Sequence, residues 1–195
     1  MRKELDKGLT ILDISKRLKI GYRPAYNHIN SMSKEGIIRV ERVGNSKQCS
    51  LNLDSSKARN LLVESDQIKK NEVYEQYPKI KAVIENLVSK LTDEYISEIH
   101  SIVLFGSYVK GTAIKTSDID ILFIVFDLKN KQVREGIERE SASYQYSHNI
   151  KVSPLITDIT EFKKMLKDDG LNVGKEIREY GISLYGSEMF WRLVA

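Results

Sequence analysis

"LFGSYVKGTAIKTSDIDILFIV", residues 104–125, decides how the rest of the chain is read. Two apolar runs, Ile102–Phe105 and Ile119–Phe126, read as buried strands joined by a polar connection that contains Gly106 and Gly111. In a strand, residues i and i+2 share a face, so Asp118 and Asp120 project together while Ile119 and Ile121 point the other way. Two carboxylates at that spacing repel each other and resist joint ionisation unless a cation lies between them. A divalent ion meets that need, and Mg2+ in particular favours a couple of carboxylates plus substrate phosphate oxygens over an all-protein cage. Taken alone, Ser117-Asp118-Ile119-Asp120 reads equally as an acidic surface turn or a helix cap before a strand.

Gly106 and Gly111 also reproduce the G-x-x-x-x-G spacing of a phosphate-binding P-loop. Thr112 and Ala113 stand where that loop needs a lysine and a magnesium-binding hydroxyl, so a P-loop ATPase is excluded.

Gly106, Ser107, Gly111, Ser117, Asp118 and Asp120 together resemble the G-S, spacer, D-x-D signature of the nucleotidyltransferase superfamily related to DNA polymerase beta, particularly its minimal prokaryotic members. The resemblance implies an α/β domain with a short mixed sheet over residues 77–195. It further implies that Gly106 and Ser107 bind a triphosphate and that Asp118 and Asp120 are the catalytic, Mg2+-holding pair. The expected reaction moves a nucleoside monophosphate from an NTP, with ATP expected, to a hydroxyl-bearing acceptor. Ser117 and Lys110 are placed with the nucleotide-binding residues, although Lys110 reads as well as an exposed loop lysine. Minimal members of the superfamily often act beside small helical partner proteins in toxin–antitoxin pairs, and such a partner is expected here.

Active members supply a third carboxylate from a later strand. The corresponding strand is Asn149–Thr157 and the aligned position is Ser153, which cannot act as a carboxylate base. Asp158 and Glu161 follow, but Asp158 also suits the N-cap of a helix over "ITEFKKMLKD". Two readings therefore stand: a working nucleotidyltransferase, and a DNA-binding regulator or antitoxin-like protein whose transferase domain is weakened or inactive.

The DNA component of both readings comes from the N-terminal third. Residues 1–60 hold 13 Lys and Arg against 6 Asp and Glu, and residues 61–195 hold 18 against 21. Such asymmetry points to a polyanion-binding module joined to a different unit. Thr10 suits an N-cap, with Ile11, Ile14 and Leu18 forming a short helical stripe after it. A turn at Ile20-Gly21 precedes a second helix with Pro24 in its first turn and Ala25, Ile29 and Met32 inward. "IIRVERV" and "QCSLNL" around "GNSK" read as a hairpin. Helix, tight turn, helix, hairpin resembles a winged helix-turn-helix domain over residues 1–55. That resemblance places Arg23, Tyr26 and Asn27 at bases and Lys16, Lys19, Arg42 and Lys47 at phosphates, and makes a homodimer reading two half-sites the expected assembly. A charged surface on a protein-binding module is the alternative.

The expected fold class is α+β: the winged helix-turn-helix domain, a helical linker over residues 56–76, then the nucleotidyltransferase-type domain. Beyond Pro78, Ile80, Val83, Ile84, Leu87 and Leu91 make a clear helical stripe. The longest apolar stretch is broken by Asp120 and far shorter than the roughly 18 residues of a membrane helix, so no membrane role is expected. The N-terminus lacks the apolar core of a signal peptide, and the single cysteine, Cys49, can form no internal disulfide; a cytoplasmic location is expected. His28, His100 and His148 lack metal-ligand spacing and read as surface or edge residues.

Overall fold

The computed structural model describes residues 8–44, 46–168, 170 and 172–194. The chain forms two compact units that meet between Leu62 and Val63.

The first unit opens with β1 (Leu9–Thr10), α1 (Ile11–Leu18) and α2 (Tyr22–Lys34), followed by the antiparallel strands β2 (Ile38–Val43) and β3 (Ser46–Leu51). Thr10 caps α1 in a reciprocal capping box with Asp13: its hydroxyl accepts from the Asp13 N–H at 3.1 Å while the Asp13 carboxylate accepts from the Thr10 N–H, also at 3.1 Å. The Thr10 hydroxyl also donates to Oδ2 of Asp13 at 2.6 Å, and this bond, with the one from the Thr10 N–H, lowers the pKa of the Asp13 carboxyl. Lys19, at φ +52°, ends α1 in the left-handed region and turns the chain into α2. The three strands lie in the order β1-β3-β2, with Val40 opposite Cys49. Ile11, Ile14, Ala25, Ile29, Ile38 and the fully buried Cys49 form the core. Asn45, in the expected hairpin tip, lies outside the described residues. α3 (Ser56–Gln76) contains the boundary between the units.

The second unit continues with α4 (Pro78–Tyr95), β4 (Ile99–Phe105), α5 (Ser107–Lys110), β5 (Ile119–Val125), α6 (Lys131–His148) and β6 (Val152–Asp158). It closes with α7 (Ile159–Lys167), α8 (Val173–Tyr180), β7 (Ile182–Tyr185) and α9 (Ser187–Leu193). Pro78 opens α4, where its missing N–H costs nothing, and the stripe from Ile80 to Leu91 is buried. The mixed sheet runs β6-β5-β4-β7, with β5 and β6 parallel and the other pairs antiparallel.

Side-chain alternation gives this sheet two covered faces. Ile119, Ile121, Phe123 and Val125 pack in one core cluster with the α4 stripe and with Val133 and Ile137 of α6. On the other face, Val103 lies against Gly181 at the end of α8, where an added Cβ would sit 2.9 Å from its methyl carbon. Asp158 caps α7 by accepting from the Glu161 N–H at 2.8 Å, so its carboxylate is committed to a helix start.

Three local expectations differ. The segment after Gly106 is a helical turn, and β5 begins at Ile119, leaving Asp118 just ahead of the strand. His100 is buried in β4, where its Nδ1 lies 3.0 Å from the Ser101 hydroxyl and its ring meets Phe126 edge to face; burial lowers its pKa. β4 starts three residues earlier than the apolar run suggests, because Ile99 and Ser101 continue the ladder opposite Val125 and Ile124, with a register shift at His100. Among the described residues no helix is long and apolar enough to cross a membrane.

Candidate active site

β5 is central to the site because it pairs with a different strand on each edge. Its antiparallel register with β4 sets Asp120 opposite Phe105, one residue before Gly106. Its parallel register with β6 sets Ile119 opposite Val152 and Asp120 opposite Ser153, so Asp118 and Lys151 lie level at the strand ends. The Ile119 N–H donates to the Lys151 carbonyl at 2.8 Å and fastens that end. Asp118, Asp120, Lys151 and Ser153 thus form a two-by-two array on one sheet face.

The two carboxylates have unlike surroundings. Oδ2 of Asp118 accepts from Nζ of Lys151 and, at 3.0 Å, from the Ser153 hydroxyl. Asp120 accepts no hydrogen bond from any described residue, and its pKa is raised, first by burial and then by the charges of Asp118 and Glu176; Lys151 and Lys110 partly offset this. Lys151 pairs with Asp118 and Lys110 with Glu176, which leaves Asp120 as the acid of the three with no ion-pair partner among the described residues.

Gly106 bears directly on Asp120. It adopts φ +77°, and a Cβ there would stand 2.0 Å from Oδ2 of Asp120. Gly106→Ala is therefore expected to push the Asp120 carboxylate out of place and lower triphosphate and metal affinity more than tenfold, while far-ultraviolet circular dichroism stays native. Unchanged nucleotide-analogue binding in a titration calorimeter would count against this account.

Ser107 begins α5 and Lys110 ends it. Nζ of Lys110 pairs with the Glu176 carboxylate at 2.8 Å and lies 5.8 Å from the centre of the Tyr180 ring. The Ser117 hydroxyl accepts from the Ile114 N–H at 2.9 Å and closes the loop ahead of Asp118. Its carbonyl accepts from the Tyr108 hydroxyl at 3.3 Å. Burial pushes the Tyr108 hydroxyl pKa up, with Tyr77 and Asp118 adding to it. Tyr77 and Tyr108 meet edge to face and line an open pocket of about 430 Å³ with Ile114, Lys115, His148 and Ile150.

Among the described residues, no group of three or more His, Cys, Asp and Glu gathers as a metal cage. Asp120 and the remaining Asp118 oxygen do suit a divalent ion that brings phosphate oxygens with it, and the absent Gly106 side chain leaves that approach open. Lys151 and Glu176 are site residues that sequence reasoning missed. Lys151 stands two positions before Ser153 on the same strand face, a spacing that points to it once β5 and β6 are paired.

In the first unit, Lys16, Lys19, Arg23, Asn27, Arg42 and Lys47 are exposed and Tyr26 is half-buried. Tyr26 and Lys47 come together, with Nζ of Lys47 5.6 Å from the ring centre. The Tyr26 hydroxyl pKa is lowered by its hydrogen bond with Asn30 and then by Lys47. Arg42 donates from Nε to the Gly44 carbonyl at 3.3 Å.

The family model described as Nucleotidyltransferase domain matches residues 80–180. Two proteins of Methanocaldococcus jannaschii, MJ1305 and MJ0141, provisionally named as protein adenylyltransferases, are also similar. MJ1305 is 27% identical over 56% of this chain and 74% of its own length. MJ0141 is 28% identical over 43% of this chain and 76% of its own. A solved toxin–antitoxin structure with AMP-PNP aligns with 56% of this chain and 81% of its own at 22% identity, with a TM-score of 0.38.

Proposed function

Since the chain belongs to the nucleotidyltransferase domain family, we propose that it is a Mg2+-dependent enzyme moving AMP from ATP to a hydroxyl group on a partner protein, the hydroxyl oxygen bonding to the α-phosphorus and losing its proton as the α–β phosphoanhydride bond breaks and pyrophosphate leaves. The observation that carries this reading is the placement of Asp118 and Asp120 on one sheet face beside a glycine turn that a side chain would block. The protein acceptor follows the names of the two archaeal relatives. A small helical partner in a toxin–antitoxin pair is the acceptor we propose.

In this mechanism Gly106 and Ser107, a turn free of bulk, let backbone N–H groups come close to the triphosphate. Lys110 leaves Glu176 for phosphate, and Ser117 keeps the loop closed so that Asp118 and Asp120 hold their spacing. A divalent ion bound by the two aspartates supplies charge neutralisation at the reacting phosphoryl group. Holding donor and acceptor in line provides the remaining rate enhancement. Incubation with labelled ATP, Mg2+ and the partner protein should label the partner; absence of label with every partner and divalent metal tried would sink the reading.

A second reading has one observation in its favour. Ser153 faces Asp120 where a third carboxylate would stand, which suits a weakened transferase domain that serves a DNA-binding regulator.

We assign DNA binding to the first unit under either reading. Two helices joined by a tight turn, followed by a hairpin and an order β1-β3-β2, support a winged helix-turn-helix. α2 would enter the major groove with Arg23, Tyr26 and Asn27, while Lys16, Lys19, Arg42 and Lys47 neutralise phosphates and two copies read two half-sites. Lys47→Ala is expected to reduce the slope of log affinity against log salt on generic duplex DNA by about 1. Fluorescence anisotropy across a salt series reads that slope, and equal slopes for wild type and variant would remove Lys47 from the interface.

A further inference from the structure

We propose that Lys151 takes the place of a second divalent ion, so that this site works with a single ion bound alongside its nucleotide. The inference rests on the nucleotidyl-transfer reading above. Two-ion sites clamp the attacking and leaving oxygens with a pair of cations roughly 3.5–4 Å apart, and both cations need anionic oxygens from the protein. This array is poorly supplied for two. A carboxylate oxygen offers about two lone-pair positions, and Oδ2 of Asp118 has two donors, the Lys151 ammonium and the Ser153 hydroxyl. What remains is the other Asp118 oxygen and the Asp120 carboxylate, which no described residue bonds. Those oxygens, completed by phosphate and water, suit one ion.

A second ion on the β6 side of Asp118 would have to share Oδ2 with an ammonium, putting like charges within contact distance. It would also find a hydroxyl at Ser153, opposite Asp120, where its third carboxylate should be. Lys151 and Ser153 therefore act in the same direction. With a hydroxyl at Ser153 and no carboxylate, the β6 side presents a cation, Lys151, to Asp118. The Lys151 side chain is 61% exposed, so it is free to follow Asp118 or turn towards a bound phosphate. An ammonium there supplies positive charge beside the reacting phosphoryl group without any further acidic residue.

The test counts Mn2+ bound per chain by electron paramagnetic resonance, in the presence of a saturating non-hydrolysable imido analogue of ATP. Wild type, Lys151→Met and the double variant Lys151→Met/Ser153→Asp are compared, with analogue binding followed separately by calorimetry. We expect one ion in wild type and two in the double variant, which removes the competing cation and supplies the carboxylate. Two ions in wild type would overturn the proposal and leave the transferase reading intact. A double variant that still binds one ion would overturn it too, since Lys151 and Ser153 would not then set the count. If no form takes up Mn2+ or analogue, the transferase reading itself fails, and this inference with it.

Discussion

Asp120→Asn is expected to lower nucleotidyl transfer about a thousandfold, equivalent to roughly 4 kcal/mol of transition-state stabilisation, and at the same time to raise the melting temperature of the metal-free protein. Both effects follow from one feature. Asp120 is a partly buried carboxylate with no hydrogen-bond donor among the described residues and with Asp118 and Glu176 acting against its charge. Its ionised form is disfavoured in the folded state, and its pKa is raised. A carboxylate raised in this way makes the folded protein less stable once the pH exceeds its unfolded value, and the cost disappears as the pH falls through that window. Asparagine keeps the shape and drops the charge, so the variant should melt higher at neutral pH and lose its advantage towards about pH 4.

Asp118→Asn should also abolish transfer but should not stabilise the fold, because Asp118 is the acceptor for Lys151 and Ser153. Calorimetric scans of the three proteins without metal, together with the labelled-ATP assay, separate the two aspartates. An Asp120→Asn protein that melts lower than wild type at neutral pH, or retains transfer, would contradict this account. Activity bought at the expense of stability is what a site built from repelling charges should display.

Asp66→Ala is expected to destabilise the second unit by about 4 kcal/mol. Asp66 is wholly buried on α3, where Oδ2 accepts from the Trp191 Nε1–H at 2.9 Å and from the Ser183 N–H at 3.2 Å. These bonds tie α3 to α9 and β7 across 125 and 117 residues of sequence. Alanine would leave both donors buried without this acceptor, and each unsatisfied polar group costs about 1–3 kcal/mol. At a typical sensitivity for this size the melting temperature should fall by roughly 10 °C. Asp66→Asn, which keeps a carbonyl oxygen, should fall between alanine and wild type. Urea unfolding followed by Trp191 fluorescence reports on this unit, and a loss below about 1 kcal/mol in the alanine variant would show that the two bonds contribute little.

Phe162, Phe190 and Trp191 add an aromatic cluster to this end of the fold, with ring centres 6.1 Å apart for the first pair and 5.0 Å for the second. All three are fully buried. An aromatic terminus could equally have served a second copy of the chain, and its sequence has no means of separating the two outcomes. Burial of these rings within one chain assigns Phe190 and Trp191 to packing.

The sequence by itself determined whatever depends on near neighbours. The N-cap at Thr10, the α4 stripe behind Pro78, the alternation that separates Ile119 and Ile121 from the aspartates, and the glycine-to-D-x-D spacing are all local patterns, and the resemblance to the nucleotidyltransferases follows from the last. Helix α6 is the exception among long elements. Gly136 and Ser141 share its buried face with Val133, Ile137 and Tyr144, so no apolar stripe marks it. Only the tertiary structure decided how the acidic pair is surrounded. The parallel β5–β6 register sets Lys151 and Ser153 against Asp118, the helix α8 brings Glu176 to Lys110, and the far end of the chain closes on Asp66. Those contacts join residues more than 30 positions apart, and a charge or hydroxyl carries no mark of the partner it will meet. Spacing along the chain encodes which side chains share a face; which faces come together is settled by packing over the whole unit.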